Sequence, residues 1–137
     1  MQAKTVNMIE ITLPDVDGVN RSLSDELKHG KATVVIFAVM NHPDSPTFNR
    51  KMAEILASKA GSVRFYQVSY DDDMYAWRDA ARNLPWTNVF DINGAASTVP
   101  AQYNVENLPS FYIYSPEGEL VDKAETIDDL TKKLSKY

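Results

Sequence analysis

The sequence predicts an α/β protein: a mixed central sheet with helices on both faces and an added β-hairpin at its amino end. Three observations carry this reading. Residues 32–39 are a continuous apolar, β-branched run, as expected for a strand covered on both sides, and residues 63–70 read as another buried strand. Apolar stripes at helical spacing follow each run, so strands and helices interleave. Alternating segments around glycine-bearing turns stand near both ends of the chain and read as hairpins.

Taken in order, Ile9, Ile11 and Leu13 alternate with Met8, Glu10 and Thr12, the period of a half-buried strand. Asp15-Val16-Asp17-Gly18 is a turn signal, and residues 19–23 return as a short second strand. Residues 24–27 open a helical turn that Gly30 closes. After the first buried run comes a cluster of breakers, Asn41-His42-Pro43-Asp44-Ser45-Pro46. Within it Ser45 fits a helix cap and Pro46 the first helical position, where proline's missing N–H is no loss. Phe48, Met52, Ile55 and Leu56 form the apolar stripe of that helix, and Gly61 stops it.

The second buried run ends in Asp71-Asp72-Asp73. A helix over 74–82 puts Met74, Trp77 and Ala81 on one face, and Leu84-Pro85-Trp86 breaks it. A short helix is expected over 97–103, with Asn104 as its left-handed end. Residues 110–114 form a strand, Ser115-Pro116-Glu117-Gly118 a turn, and 119–123 the returning strand. Thr126 and Asp129 resemble a capping box before Ile127, Leu130 and Leu134 of a last helix. With no repeat and no linker, residues 1–137 are expected to be one domain.

Composition sets further bounds. A chain of 137 residues that is 44% hydrophobic can build a core without staples. A net charge of −5 gives a nucleic-acid function no electrostatic support. The longest apolar run, residues 34–40, is far too short to cross a bilayer, so membrane insertion by this chain is not expected. Residues 1–7 lack the apolar region of a signal peptide, which says little about compartment, because a longer exported precursor would read the same. There is no cysteine, which excludes a disulfide, a thiolate nucleophile and a thiolate metal site.

Several segments together are similar to the thioredoxin superfamily, and within it to the TlpA-like and alkyl-hydroperoxide-reductase/thiol-specific-antioxidant branch. Ile11-Thr12-Leu13, Asp17-Gly18 and Ser22-Leu23-Ser24-Asp25 resemble its amino-terminal strand, turn and "sLsd" segment. Val34-Val35-Ile36-Phe37-Ala38 resembles the central strand that leads to the CxxC site. Val68-Ser69-Tyr70-Asp71 and Tyr75-Ala76-Trp77 resemble the next strand end and the helix beyond it. Tyr103-Asn104-Val105 through Leu108-Pro109-Ser110-Phe111 resembles the segment whose proline, in the family, is cis and faces the active site. Pro116-Glu117-Gly118-Glu119-Leu120-Val121 resembles the family's closing hairpin. The likeness covers residues 9–136 and implies a thioredoxin-like sheet, thiol-disulfide or peroxidase ancestry, and a periplasmic or cell-envelope setting.

The active-site motif itself is missing. The family spacing, counted from Phe37, puts His42 and Ser45 at the cysteine positions, with Pro43 and Asp44 between them. A shift of one residue puts Asn41 and Asp44 there and keeps Pro43 at the family's proline. The unshifted reading needs no deletion, and either removes both thiols. Disulfide exchange needs a thiolate to attack and a second thiol to resolve, and peroxide reduction needs a thiolate that becomes a sulfenic acid. The buried acid that often precedes the phenylalanine in thioredoxins is here Ile36. Thiol chemistry by this chain alone is therefore excluded.

Other chemistries compete with blander roles. His42, Asp44 and Ser45 suggest a hydrolytic set, but three residues in one tight turn rarely reach the mutual geometry that catalysis needs. A turn residue and a helix cap explain Asp44 and Ser45 better. No metal or cofactor is expected: His29, the one other histidine, reads as exposed, and Asp71-Asp72-Asp73 lacks the spacing of a calcium loop. That run reads instead as a solvated loop with a helix-start carboxylate. Tyr112 and Tyr114 read as packing residues, and Trp77 and Trp86 as core or semi-buried. The resemblance leaves two readings of Pro109: a turn retained because the fold needs it, or a groove lined by Met40, Asn41, Leu108, Pro109 and Ser110, with Trp86 at its margin, where the family pairs with extended substrates through the backbone. The expected function is a redox-inactive binding or structural module with a protein or peptide partner. The alternative is a relative of disulfide or antioxidant enzymes that cannot do thiol chemistry alone.

Overall fold

A computed structural model describes residues 10–39, 43, 45–59, 61–91, 103, 105 and 109–137. Two short strands, β1 (Thr12–Pro14) and β2 (Asn20–Ser22), pair antiparallel as the expected hairpin. Asp15 builds its turn: Oδ1 accepts from the backbone N–H of Asp17 (2.9 Å) and Val19 (3.0 Å), and Oδ2 accepts from Arg21 Nε at 2.8 Å. Gly18 sits at φ 78°, a left-handed conformation that suits glycine. The helical turn that follows, α1 (Leu23–Glu26), starts one residue before its expected place. Ser22 caps it by accepting from the Asp25 N–H, and a 3₁₀ turn (Leu27–His29) leads to Gly30.

The main sheet has five strands in the order β5-β4-β3-β6-β7. They are β3 (Ala32–Ala38), β4 (Val63–Ser69), β5 (Thr87–Phe90), β6 (Ser110–Tyr114) and β7 (Leu120–Ala124). β3, β4 and β5 run parallel, while β6 and β7 are antiparallel to their neighbours, so the sheet is mixed as expected. β5 was not legible in the sequence. Four residues long, with Thr87 and Asn88 at its start, it lacks the apolar run that marks β3.

Period-two alternation gives the sheet two cores. Val34, Ile36, Phe65, Phe111 and Ile113 pack against Met52 of α2 (Ser45–Ser58) and against Leu130 and Leu134 of the carboxyl-terminal segment. Val35, Phe37, Tyr66, Val68, Tyr112 and Tyr114 pack on the other face with Leu23 and Leu27. Helices therefore cover both faces. α2 begins at Ser45 itself, one residue earlier than expected. Asp73 caps α3 (Met74–Ala81) by accepting from the N–H of Tyr75 and Ala76, and Trp77 and Ala81 pack against Phe90. Thr126 caps α4 (Ile127–Lys133), accepting from Asp129 N–H at 3.1 Å, and Lys59 Nζ donates to the Leu134 carbonyl at 2.7 Å. The helix expected over 97–103 lies outside the described residues, apart from Tyr103.

Burial pushes the Asp15 carboxyl up, but its bonds to Arg21 and to two backbone N–H groups outweigh burial and hold it below the ordinary value. A carboxylate depressed on folding stabilises the fold above its unfolded pKa, and that contribution is lost as pH falls through the folded value. Between about pH 5 and pH 2, urea unfolding is therefore expected to show a steeper loss of stability for the wild type than for Asp15→Asn. Equal slopes would contradict the assignment.

Candidate functional site at the carboxyl ends of the parallel strands

In open α/β sheets, ligands meet the protein beyond the carboxyl ends of the strands. At that end, β3 runs out at Ala38 and β6 begins beside it, with Ser110 paired to Phe37 and Phe111 to Ile36. Pro109, half-buried, leads directly into β6, and Ser110 is buried. Phe48, in the first turn of α2, stacks on Phe111 with centroids 6.1 Å apart and an interplanar angle of 21°. That contact joins the start of α2 to the start of β6. The end of β3, the opening of α2 and the entry to β6 are thus assembled in one place, with Pro43 exposed on the way to α2.

Met40, Asn41, His42, Asp44 and Leu108 lie outside the described residues. Trp86 does not join this group. Thr87 pairs with Tyr66, which puts Trp86 beside Phe65, a residue level with Val34 and three positions short of Phe37 on the central strand. It is buried edge-on to Phe65, with centroids 5.5 Å apart, and its Nε1–H donates to Gln67 Oε1 at 3.0 Å. The margin expected for the groove is thus a core residue nearer the opposite end of the sheet.

Beneath the site lies an aromatic layer. Phe37 packs on Tyr103 at 5.2 Å, on Tyr112 at 5.7 Å and on Tyr70 at 6.3 Å. The Tyr112 hydroxyl donates to the Tyr103 carbonyl at 2.5 Å, tying the chain ahead of Pro109 to the sheet. Tyr112 and Tyr114 are the packing residues the sequence suggests. Burial pushes the phenols of Tyr66, Tyr103 and Tyr114 above their ordinary range, so none of them is a base or nucleophile near neutral pH. Ile36 is fully buried in the apolar cluster that includes Met52 and Phe111.

Two acids escaped the sequence reading. Asp71, expected in a solvated loop, is only 4% exposed, and Asp91 is 1% exposed. They follow β4 and β5 at the same end of the sheet, and the Asp91 N–H donates to the Ser69 carbonyl at 3.1 Å. Asp71 carried a signal, since it directly follows a buried run; Asp91 carried none, because β5 was itself unseen. The aspartate run divides its roles, with Asp71 buried, Asp72 exposed and Asp73 capping α3. Among the described residues, no three His, Cys, Asp or Glu side chains converge to hold a metal. His29 is exposed, with Nε2 4.0 Å from Asp25.

A mixed five-stranded sheet with this order, and a site where β3, α2 and β6 meet, defines a thioredoxin-like protein. Its chain superposes on the uncharacterized thioredoxin-like protein from Bacteroides vulgatus with a TM-score of 0.84 and 38% identity, covering 99% of this chain and 89% of that one. By that likeness the chain belongs to the thioredoxin-like proteins. The thiol:disulfide interchange protein from Bacteroides sp. matches at 25% identity and TM-score 0.80, over 98% of this chain and 90% of its own. The thiol-disulfide oxidoreductase from Bacteroides fragilis NCTC 9343 shares the fold at 24% identity and TM-score 0.81, over 96% and 98% of the two chains. No protein-family model matches the sequence, and comparison with curated proteins finds no match.

Removing the Tyr112 hydroxyl loosens the chain before Pro109 without opening a large cavity. Tyr112→Phe is expected to cost about 1 kcal/mol in urea unfolding, the usual worth of one buried hydrogen bond. It is also expected to speed amide exchange around residue 103. An unchanged midpoint would show that this bond does not hold the segment.

Proposed function

We propose that this chain is a redox-inactive member of the TlpA-like branch that works as a binding module. It holds extended polypeptide in the groove formed by Met40, Asn41, Pro43, Leu108, Pro109 and Ser110, with His42 and Ser45 at the former cysteine positions. One observation carries the reading: a thioredoxin-like frame is kept in a chain that contains no cysteine. Pairing an extended segment with the backbone ahead of β6 needs no thiol, only free N–H and C=O groups and space for side chains. Disulfide exchange, by contrast, needs two thiols that no other side chain replaces.

On this reading residues 1–137 act as one domain, the partner is a protein or peptide, and no metal or cofactor takes part. The setting is the periplasm or cell envelope, by the family resemblance. Among the described residues no helix is long and apolar enough to cross a membrane. The names of the Bacteroides neighbours favour a second reading, in which the chain serves a disulfide-exchange system and depends on a partner for every thiol.

Amide chemical shifts recorded while adding an unfolded, cysteine-free polypeptide separate the readings. Saturable shifts clustered at residues 40–45 and 108–111 are the expected result. Their absence at millimolar polypeptide would overturn the groove and leave partners that dock elsewhere.

A further inference from the structure

Nearer the amino ends of β4 and β5 lies a cleft of about 540 Å³, a size typical of small-ligand sites. Arg21, Arg64 and Arg82 line it together with Trp86, Leu56 and Leu84. We propose that this cleft binds a small organic anion with a flat apolar body, such as an aromatic carboxylate. The proposal is independent of the groove at the other end of the sheet.

Charge is the first argument. The lining holds three guanidiniums and two carboxylates, Asp15 and Glu26, so it is net positive in a chain whose net charge is −5. Both carboxylates are committed to the fold. Glu26, with its side chain 8% exposed, accepts from Arg64 Nε at 2.5 Å and from Thr87 Oγ1 at 2.8 Å. Asp15, 10% exposed, accepts from Arg21 Nε and the hairpin backbone.

Those bonds engage only the Nε of each arginine. Among the described residues, the terminal Nη groups of Arg21 and Arg64 make no hydrogen bond, and the exposed Arg82 side chain makes no ion pair. Two guanidiniums are therefore held in place by buried acids while their terminal N–H donors stay available beside a third. Such planar forks match the two oxygens of a carboxylate.

The second argument is the apolar wall. The Trp86 indole is held by its bond to Gln67 and by the edge contact with Phe65, and the Trp86 carbonyl accepts from Asn88 Nδ2 at 3.3 Å. Trp86 is buried, so it lends the cleft an apolar edge, and an edge already fixed loses little freedom when the ring of a ligand packs against it. Leu56 and Leu84 extend the apolar surface. Cation and aromatic surface in one cleft select a ligand with both a charge and a ring, in preference to a bare inorganic anion.

The test is a titration of the isotope-labelled protein, read at the Trp86 indole N–H, the arginine Nε–H signals and the amides of residues 84–88. The probes are naphthoate, its neutral analogue naphthamide, and inorganic phosphate. The expected result is saturable binding of naphthoate at these positions, with naphthamide and phosphate each at least about tenfold weaker, the loss of one charged or apolar contact. Arg82→Gln, at an exposed position, is expected to weaken naphthoate about tenfold with an unchanged Tm. Absence of saturation by about 10 mM naphthoate would overturn the proposal. So would equal binding of naphthamide or phosphate, or unchanged binding to the Arg82→Gln protein.

Discussion

Burial of β3 on both faces is the constraint from which the rest of the structure follows. All seven of its residues are buried, with Val34 and Ile36 in one core and Val35 and Phe37 in the other. Its two neighbours run in opposite senses, β4 parallel and β6 antiparallel, so every β3 backbone group within the strand has a partner to one side or the other. A strand so enclosed has one register, because a slip of one residue would exchange the side chains of the two cores. That register sets Ser110 against Phe37 and so fixes where the candidate site stands.

The frame of this site does not depend on the chemistry its relatives are named for. Strand pairing places β6 beside β3, stacking of Phe48 on Phe111 places α2, and the Tyr112 hydroxyl bond to Tyr103 places the chain ahead of Pro109. None of these contacts uses a residue at a former cysteine position. Replacement of both cysteines therefore removes the reaction and leaves the forces that shape the site in place. Backbone recognition of an extended segment is the property such a frame can retain.

Legibility in the sequence followed burial and locality. β3 announced itself as an apolar run, β4 as a second buried strand, the hairpin turn through Asp15 and Gly18, and the α4 start through Thr126. β5 stayed hidden because a short edge strand needs little apolar character; there Thr87 Oγ1 donates to Glu26 and Asn88 Nδ2 to the Trp86 carbonyl. Trp86 was misplaced for the same reason, since its neighbours Phe65 and Gln67 are known only once β5 is set beside β4. Asp71 looked solvated because charge in a run of three aspartates suggests a loop, whereas the strand end carries the first of them inside. The arginine-lined cleft had no sequence signature at all: residues 21, 64 and 82 come together only through the sheet and its hairpin.

The central claim is that the frame of a thioredoxin-like site persists in a chain that has neither the thiols nor the buried acid, which Ile36 replaces. Restoring the thiols tests it most directly, by measuring insulin disulfide reduction in the presence of dithiothreitol for the double variant His42→Cys/Ser45→Cys against the wild type. The account predicts a rate above the reductant's background for the double variant and none above it for the wild type. The Asn41→Cys/Asp44→Cys pair, placed by the shifted alignment, is expected to fall short of it. A folded His42→Cys/Ser45→Cys protein with both thiols titratable and no activity above background would contradict the claim.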